Sequence, residues 1–206
     1  MDANSPLPPL LKRGGEGQNG ILKRGGAKSI DCALVGPGME VNKKTRDVVK
    51  KILIRKQKAV LDAGALRALD HGLMKLLHPN CILTPHPGEF RDAFHLPPTP
   101  DNAAKIAKKY RCYVVLKGPK SVVAAPDGKL YYNTTGNAGM AKGGSGDVLA
   151  GLIAGLFCQN NAMTSATAGL YINGKAGGDL YKTYHTFYNS EDLSAQAPKT
   201  LKNLLA

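Results

Sequence analysis

The chain has 206 residues, enough for one large domain with a sizeable core or for two small ones. Its 28 Lys+Arg against 15 Asp+Glu give a net charge of +13, and residues 1–60 hold 13 of those cations against 5 acids, an excess of +8. No aromatics interleave with these cations as base stacking requires, and the longest apolar run, residues 148–158, falls short of the ~20 residues of a bilayer span, so the expected partners are small anions rather than nucleic acid or membrane.

Residues 1–30 repeat LKRGG at 11–15 and 22–26 and lack apolar periodicity, which predicts a disordered basic extension ahead of a domain over 31–206. Beyond it, short apolar runs alternate with helical patterns. Residues 32–35 read as a strand ending in Gly36-Pro37-Gly38. Residues 45–57 read as a basic helix with Val48, Val49, Ile52 and Leu53 on one face. A strand at 59–61 stops at Asp62, and a short helix over 65–69 follows. The strand at 81–83 runs into TPHPGEF, residues 84–90. Asp101 is expected to cap a helix reaching about Tyr110, and the strand at 112–116 ends at Lys117-Gly118. A hairpin over 121–125 and 129–133 turns at Pro126-Asp127-Gly128. After GNAGMAKGGSGD, residues 136–147, helices are predicted over 145–159, 164–180 and 192–205.

Four strands, each followed by a Gly- or Pro-bearing loop and a helix, predict a parallel sheet with right-handed crossovers. Ligands of such sheets bind past the carboxyl ends of the strands. Gly36, Gly38, Asp62, His86, Glu89 and Lys117 all fall at those ends.

Val148, Leu149, Leu152, Ile153 and Leu156 recur at helical spacing, so a buried helix starts directly after the glycines. Its first N–H groups lack intrahelical partners and carry partial positive charge. Gly143, Gly144 and Gly146 have no Cβ to keep a phosphate from that backbone. Asp147, in the first turn, is placed to take a proton from a hydroxyl attacking a phosphoryl group. A plainer reading stays open, in which the glycines only make a turn and Asp147 only favours the helix dipole. The stretch is neither a Walker A loop nor a dinucleotide fingerprint.

Cys32, Cys81, Cys112 and Cys158 form no CxxC pair and flank apolar residues, which suggests core packing in a reducing compartment, the cytoplasm. His71, His78, His95 and His185 have no metal-ligand spacing and read as surface or packing residues.

Together, GNAGMAKGGSGDVLAGLIAGL, ILTPHPGEF and VVLKGPKSVV resemble the ADP-dependent NAD(P)H-hydrate dehydratases of the ribokinase-like superfamily, over about residue 31 to the end of the chain. The resemblance implies a three-layer α/β fold with a mostly parallel sheet flanked by helices. It also implies a repair reaction: ADP or ATP, with Mg2+, phosphorylates the 6-hydroxyl of hydrated NADH or NADPH, and elimination of phosphate restores the dihydronicotinamide. By position, Asp147 would be the catalytic base and would contact the hydrate together with Gly38 and His86. Lys117, Gly118, Pro119, Lys120 and Ser121, with Gly143, Gly144, Ser145 and Gly146, would bind the nucleotide. No metal ligands are assigned. Each position also has a structural reading: His86 as part of a Pro-His-Pro turn, Glu89 as a helix cap, Lys117 as a solvated cation. Asp62 is read as a cap of the next helix in preference to a water-mediated Mg2+ contact.

Three departures accompany the resemblance. The family's first strands and helices, including an Ala that contacts the hydrate, have no equivalent ahead of the GPG strand. An N-terminally truncated fold with an exposed apolar edge is therefore expected, which would encourage a homo-oligomer. The second acid of the family's DADAL is Gly64, and its usual His before Gly174 is Asn173. A small-molecule kinase acting on a sugar or vitamin alcohol, and a non-catalytic nucleotide-binding remnant, stay open as alternatives.

Overall fold

The computed structural model describes residues 30–206, so the basic extension expected over 1–30 lies, Ile30 apart, outside the described residues. Six strands form one sheet whose spatial order is the chain order: β1 (Ala33–Val35), β2 (Ala59–Leu61), β3 (Cys81–Leu83), β4 (Tyr113–Leu116), β5 (Ser121–Ala124) and β6 (Leu130–Asn133). β1 to β4 pair in parallel, and β4, β5 and β6 pair antiparallel. β2 and β3 are buried at every residue, which is why their sequences are unbroken apolar runs.

Strand alternation divides the core in two. Leu61, Leu83, Val114 and Leu116 face the layer made by α1 (Lys43–Ile54), α2 (Ala63–Arg67), α3 (His71–Met74), α4 (Pro87–Phe94) and α5 (Pro100–Tyr110). Val60, Ile82, Val115 and Val123 face α6 (Ser145–Gln159) and α7 (Ala162–Tyr184). Outside these, α8 (Ser190–Leu205) packs Leu193 and Ala197 against Ala176 and Leu180 of α7. The result is the expected three-layer arrangement. Lys58 ties β2 to α6: its ammonium donates to the carbonyls of Phe157 at 2.8 Å and Asn160 at 3.0 Å, at the helix end that favours a cation.

Most predicted elements stand within a few residues of their place. Two local readings change. α5 is capped by Thr99, whose hydroxyl accepts from Asn102 N at 3.2 Å, and Asp101 lies inside the first turn. The helix after TPHPGEF, to which the sequence reading assigns no bounds, begins within it, at Pro87. Among the described residues β1 pairs only with β2, and its Leu34 is 38% exposed. No helix among them is long and apolar enough to cross a membrane.

Candidate functional site

The parallel strands end along one line, so the residues that follow them meet. Asp62, after β2, is 1% exposed and accepts hydrogen bonds from Thr84 Oγ1 at 2.9 Å and Lys117 Nζ at 2.8 Å. Asp62 precedes α2 but makes no side-chain cap bond, so the cap reading is corrected: its carboxylate turns to the strand ends, not to the helix. Lys117, after β4, also lies 3.7 Å from Glu89 Oε2. A buried carboxylate needs such partners, because losing water costs several kcal/mol per ion.

The loop after β3 is built by the helix it starts. His86 occupies the N-cap of α4, and its Nδ1 accepts from Gly88 N at 3.0 Å and Glu89 N at 3.2 Å. Glu89 Oε2 returns the bond by accepting from His86 N at 2.9 Å, completing a capping box, with Pro87 in the first turn. With Nδ1 accepting, the neutral ring carries its proton on Nε2, and the side chain is 55% exposed. Pro85 O accepts from Lys117 N at 2.9 Å, which ties this loop to the end of β4.

Gly36, after β1, has φ +121, and a Cβ there would stand 1.7 Å from Asp62 O, so only glycine lets the two strand ends meet. Gly38, with φ +69, is exposed and has nothing within 4 Å of where a Cβ would be. Gly118, Pro119 and Lys120 form an exposed tip, closed by Ser121 Oγ, which accepts from Gly118 N at 3.1 Å and donates to Gly118 O at 3.0 Å.

Gly144 caps α6 at φ +84, a conformation strained for any residue with a Cβ. Gly143 is exposed. Ser145 spends its hydroxyl inside the loop, donating to Met140 O at 2.7 Å and Lys142 O at 2.9 Å. At Gly146 the loop reaches the strand ends: Lys117 Nζ lies 3.4 Å from where a Cβ would stand. Asp147 is exposed in the first turn of α6. Lys117, Asp62, Glu89, His86 and the start of α6 thus form one constellation. Gly38 joins it only through the β1 loop, where Gly36 meets Asp62.

The sequence reading passed over the brace behind the glycine loop. Lys142 Nζ donates to the carbonyls of Thr186 and Tyr188 and sits 4.5 Å from the Tyr188 ring centroid. The buried Tyr188 hydroxyl donates to Asn137 Oδ1 at 2.9 Å. No local pattern marks these residues, which lie 44 to 51 positions apart in the chain.

The cysteines stand apart from the site, and the packing reading is corrected for Cys158, which is exposed on the solvent side of α6. Burial pushes the thiols of Cys32 and Cys81 up to about 12 and that of Cys112 higher still, as expected of packing residues. Cys81 Sγ lies 3.4 Å from Nε2 of His78, a buried ring whose basicity burial and the nearby Lys56 lower.

A family profile described as NAD(P)H-hydrate dehydratase matches residues 4–199. The bifunctional NAD(P)H-hydrate repair enzyme Nnr of Moorella thermoacetica is 39% identical over 209 residues, covering 96% of this chain and 37% of that protein. The ADP-dependent (S)-NAD(P)H-hydrate dehydratase of Xanthomonas campestris is 35% identical over 215 residues, covering 96% of this chain and 73% of that protein. The chain therefore spans little more than a third of the bifunctional relative. Among solved structures, the ADP/ATP-dependent NAD(P)H-hydrate dehydratase of Bacillus subtilis, co-crystallised with ATP and Mg2+, superposes with a TM-score of 0.75 at 30% identity, over 84% of this chain and 64% of that one. Ribokinase from Thermotoga maritima superposes at 0.58 with 15% identity, over 84% and 57%, a likeness of fold alone.

Proposed function

The chain belongs to the NAD(P)H-hydrate dehydratase family, and from that premise we propose that it repairs hydrated NADH or NADPH at the expense of ADP or ATP. One observation carries the reading: the Lys117 ammonium, held by buried Asp62, lies beside Gly146 at the start of α6. A cation and a row of unpartnered N–H groups there form a cradle for a nucleotide's phosphates. Gly143, Gly144 and Gly146 leave that backbone open, and the tip from Lys117 to Ser121 lies next to it for the rest of the nucleotide.

In the reaction, Asp147 takes the proton of the 6-hydroxyl as its oxygen bonds to the terminal phosphorus of the nucleotide. With ADP, the bridging P–O bond breaks and AMP leaves. The C6–O bond then breaks, phosphate departs with the electron pair, and the neighbouring ring carbon loses a proton, restoring the double bond. His86 offers its Nε2–H to the hydrate, and Gly38 lets the substrate approach the backbone after β1. Mg2+ would arrive on the phosphates, which the Lys117 ammonium and the glycine loop hold, and would neutralise their charge.

The test incubates the protein with hydrated NADH, ADP and Mg2+ and follows the dihydronicotinamide absorbance. Its return, with one AMP released per NADH, is the expected result. Folded protein that restores no absorbance overturns the reading. Accumulation of a stable phosphorylated product would assign a kinase, and ADP binding without turnover would assign a nucleotide-binding remnant.

A further inference from the structure

Asp62 and Glu89 are the two buried carboxylates among the described residues, and one ammonium, Lys117, stands by both. Asp62 is matched by Thr84 and Lys117. Glu89 divides its oxygens differently. Oε2 accepts from His86 N and stands 3.7 Å from Lys117 Nζ, while Oε1 stands 3.5 Å from His86 Nε2. Glu89 thus sits between an imidazole on the hydrate side and an ammonium on the nucleotide side.

We propose that Glu89 is a positioning residue that couples the two subsites. A hydrate that takes up the His86 Nε2–H leaves the Glu89 charge to Lys117. The ammonium is then fixed where phosphates meet it, and the nucleotide has less side-chain freedom to remove on binding. The proposal rests on the reading of His86 and Lys117 as hydrate and nucleotide ligands.

Capping alone also accounts for a glutamate at this position of α4, and Glu89→Gln separates the two roles. Gln completes a capping box as Glu does but brings no charge to Lys117. The experiment titrates wild type and E89Q with AMP, which supports no phosphoryl transfer to the hydrate, by calorimetry with and without saturating hydrated NADH. In the wild type the hydrate should tighten AMP about fivefold or more. In E89Q that factor should fall to near one while the melting temperature stays close to the parent's. A Glu89 that only caps α4 predicts an unchanged melting temperature and an unchanged factor, which would overturn the proposal. So would a factor of one in wild type that binds both ligands. A defect in E89Q erased by excess Mg2+ assigns the carboxylate to the cation and also overturns it. Wild type that binds neither AMP nor hydrate overturns the underlying reading, and the coupling with it.

Discussion

Lys117 Nζ lies 2.8 Å from Asp62 Oδ1, across 55 positions of sequence and the one strand, β3, that separates the ends of β2 and β4. The pair neutralises a buried acid and aims a cation at the start of α6. Lys117→Met leaves both Asp62 and Glu89 without their ammonium and should cost about 3–5 kcal/mol. Asp62→Asn keeps the Thr84 bond and leaves Glu89 for Lys117, which is itself partly exposed, so its cost should be nearer 1–3 kcal/mol. Urea unfolding of both variants checks the order; equal losses would contradict it.

Asp147→Asn preserves shape and removes the proton acceptor. Turnover should fall about 10²–10⁴-fold, while ADP affinity holds or rises because one negative charge near the phosphates is gone. Stability should change by no more than about 1 kcal/mol, the helix-dipole contribution. Melting temperature, calorimetry and turnover on one pair of preparations decide it, and turnover within a few-fold of the parent removes Asp147 from the proton transfer.

His86→Asn tests the double duty of the imidazole. Asn is a favoured N-cap, so α4 should hold and stability should stay within about 0.5 kcal/mol, whereas His86→Ala should lose about 0.5–2 kcal/mol. Both variants lack Nε2–H and should raise the KM for hydrated NADH. A KM unchanged in both would confine His86 to capping.

Tyr188→Phe deletes one hydroxyl and its bond to Asn137, about 0.5–1.5 kcal/mol. Because that bond braces the glycine loop, ADP affinity should drop several-fold even though Tyr188 touches no ligand. Stability lost with ADP affinity intact would show that the brace serves folding alone.

The thiols give a pH prediction. Cys32 and Cys81 titrate near 12 in the fold against an ordinary value of 9.0, raised first by burial. A raised pKa means that the unfolded chain ionises first. Their contribution to stability is therefore complete below pH 9 and is lost as pH climbs toward 12. Unfolding midpoints should fall over that window, and Cys32→Ala,Cys81→Ala protein should show a shallower fall. At pH 8 a thiol reagent should modify exposed Cys158 fastest in native protein, partly exposed Cys32 more slowly, and buried Cys81 and Cys112 only on unfolding.

Read alone, the sequence located β2, β3 and α6 at their observed bounds and put the hairpin, the glycine loop and the acid after it in place. These follow from local pattern: unbroken apolar runs make buried parallel strands, and glycines before a helical repeat make a helix start. The helix that Glu89 caps in the sequence reading drew no bounds, because the N-cap of α4 is a histidine, which becomes a capping acceptor only when Nδ1 is left unprotonated and turned to the helix. The partners of Asp62 and the brace of Lys142 and Tyr188 were settled by tertiary structure alone. They depend on which strand ends come side by side and on which loop α7 and α8 carry past the glycines. Sheet register and helix packing decide that over tens of residues, where periodicity carries no signal.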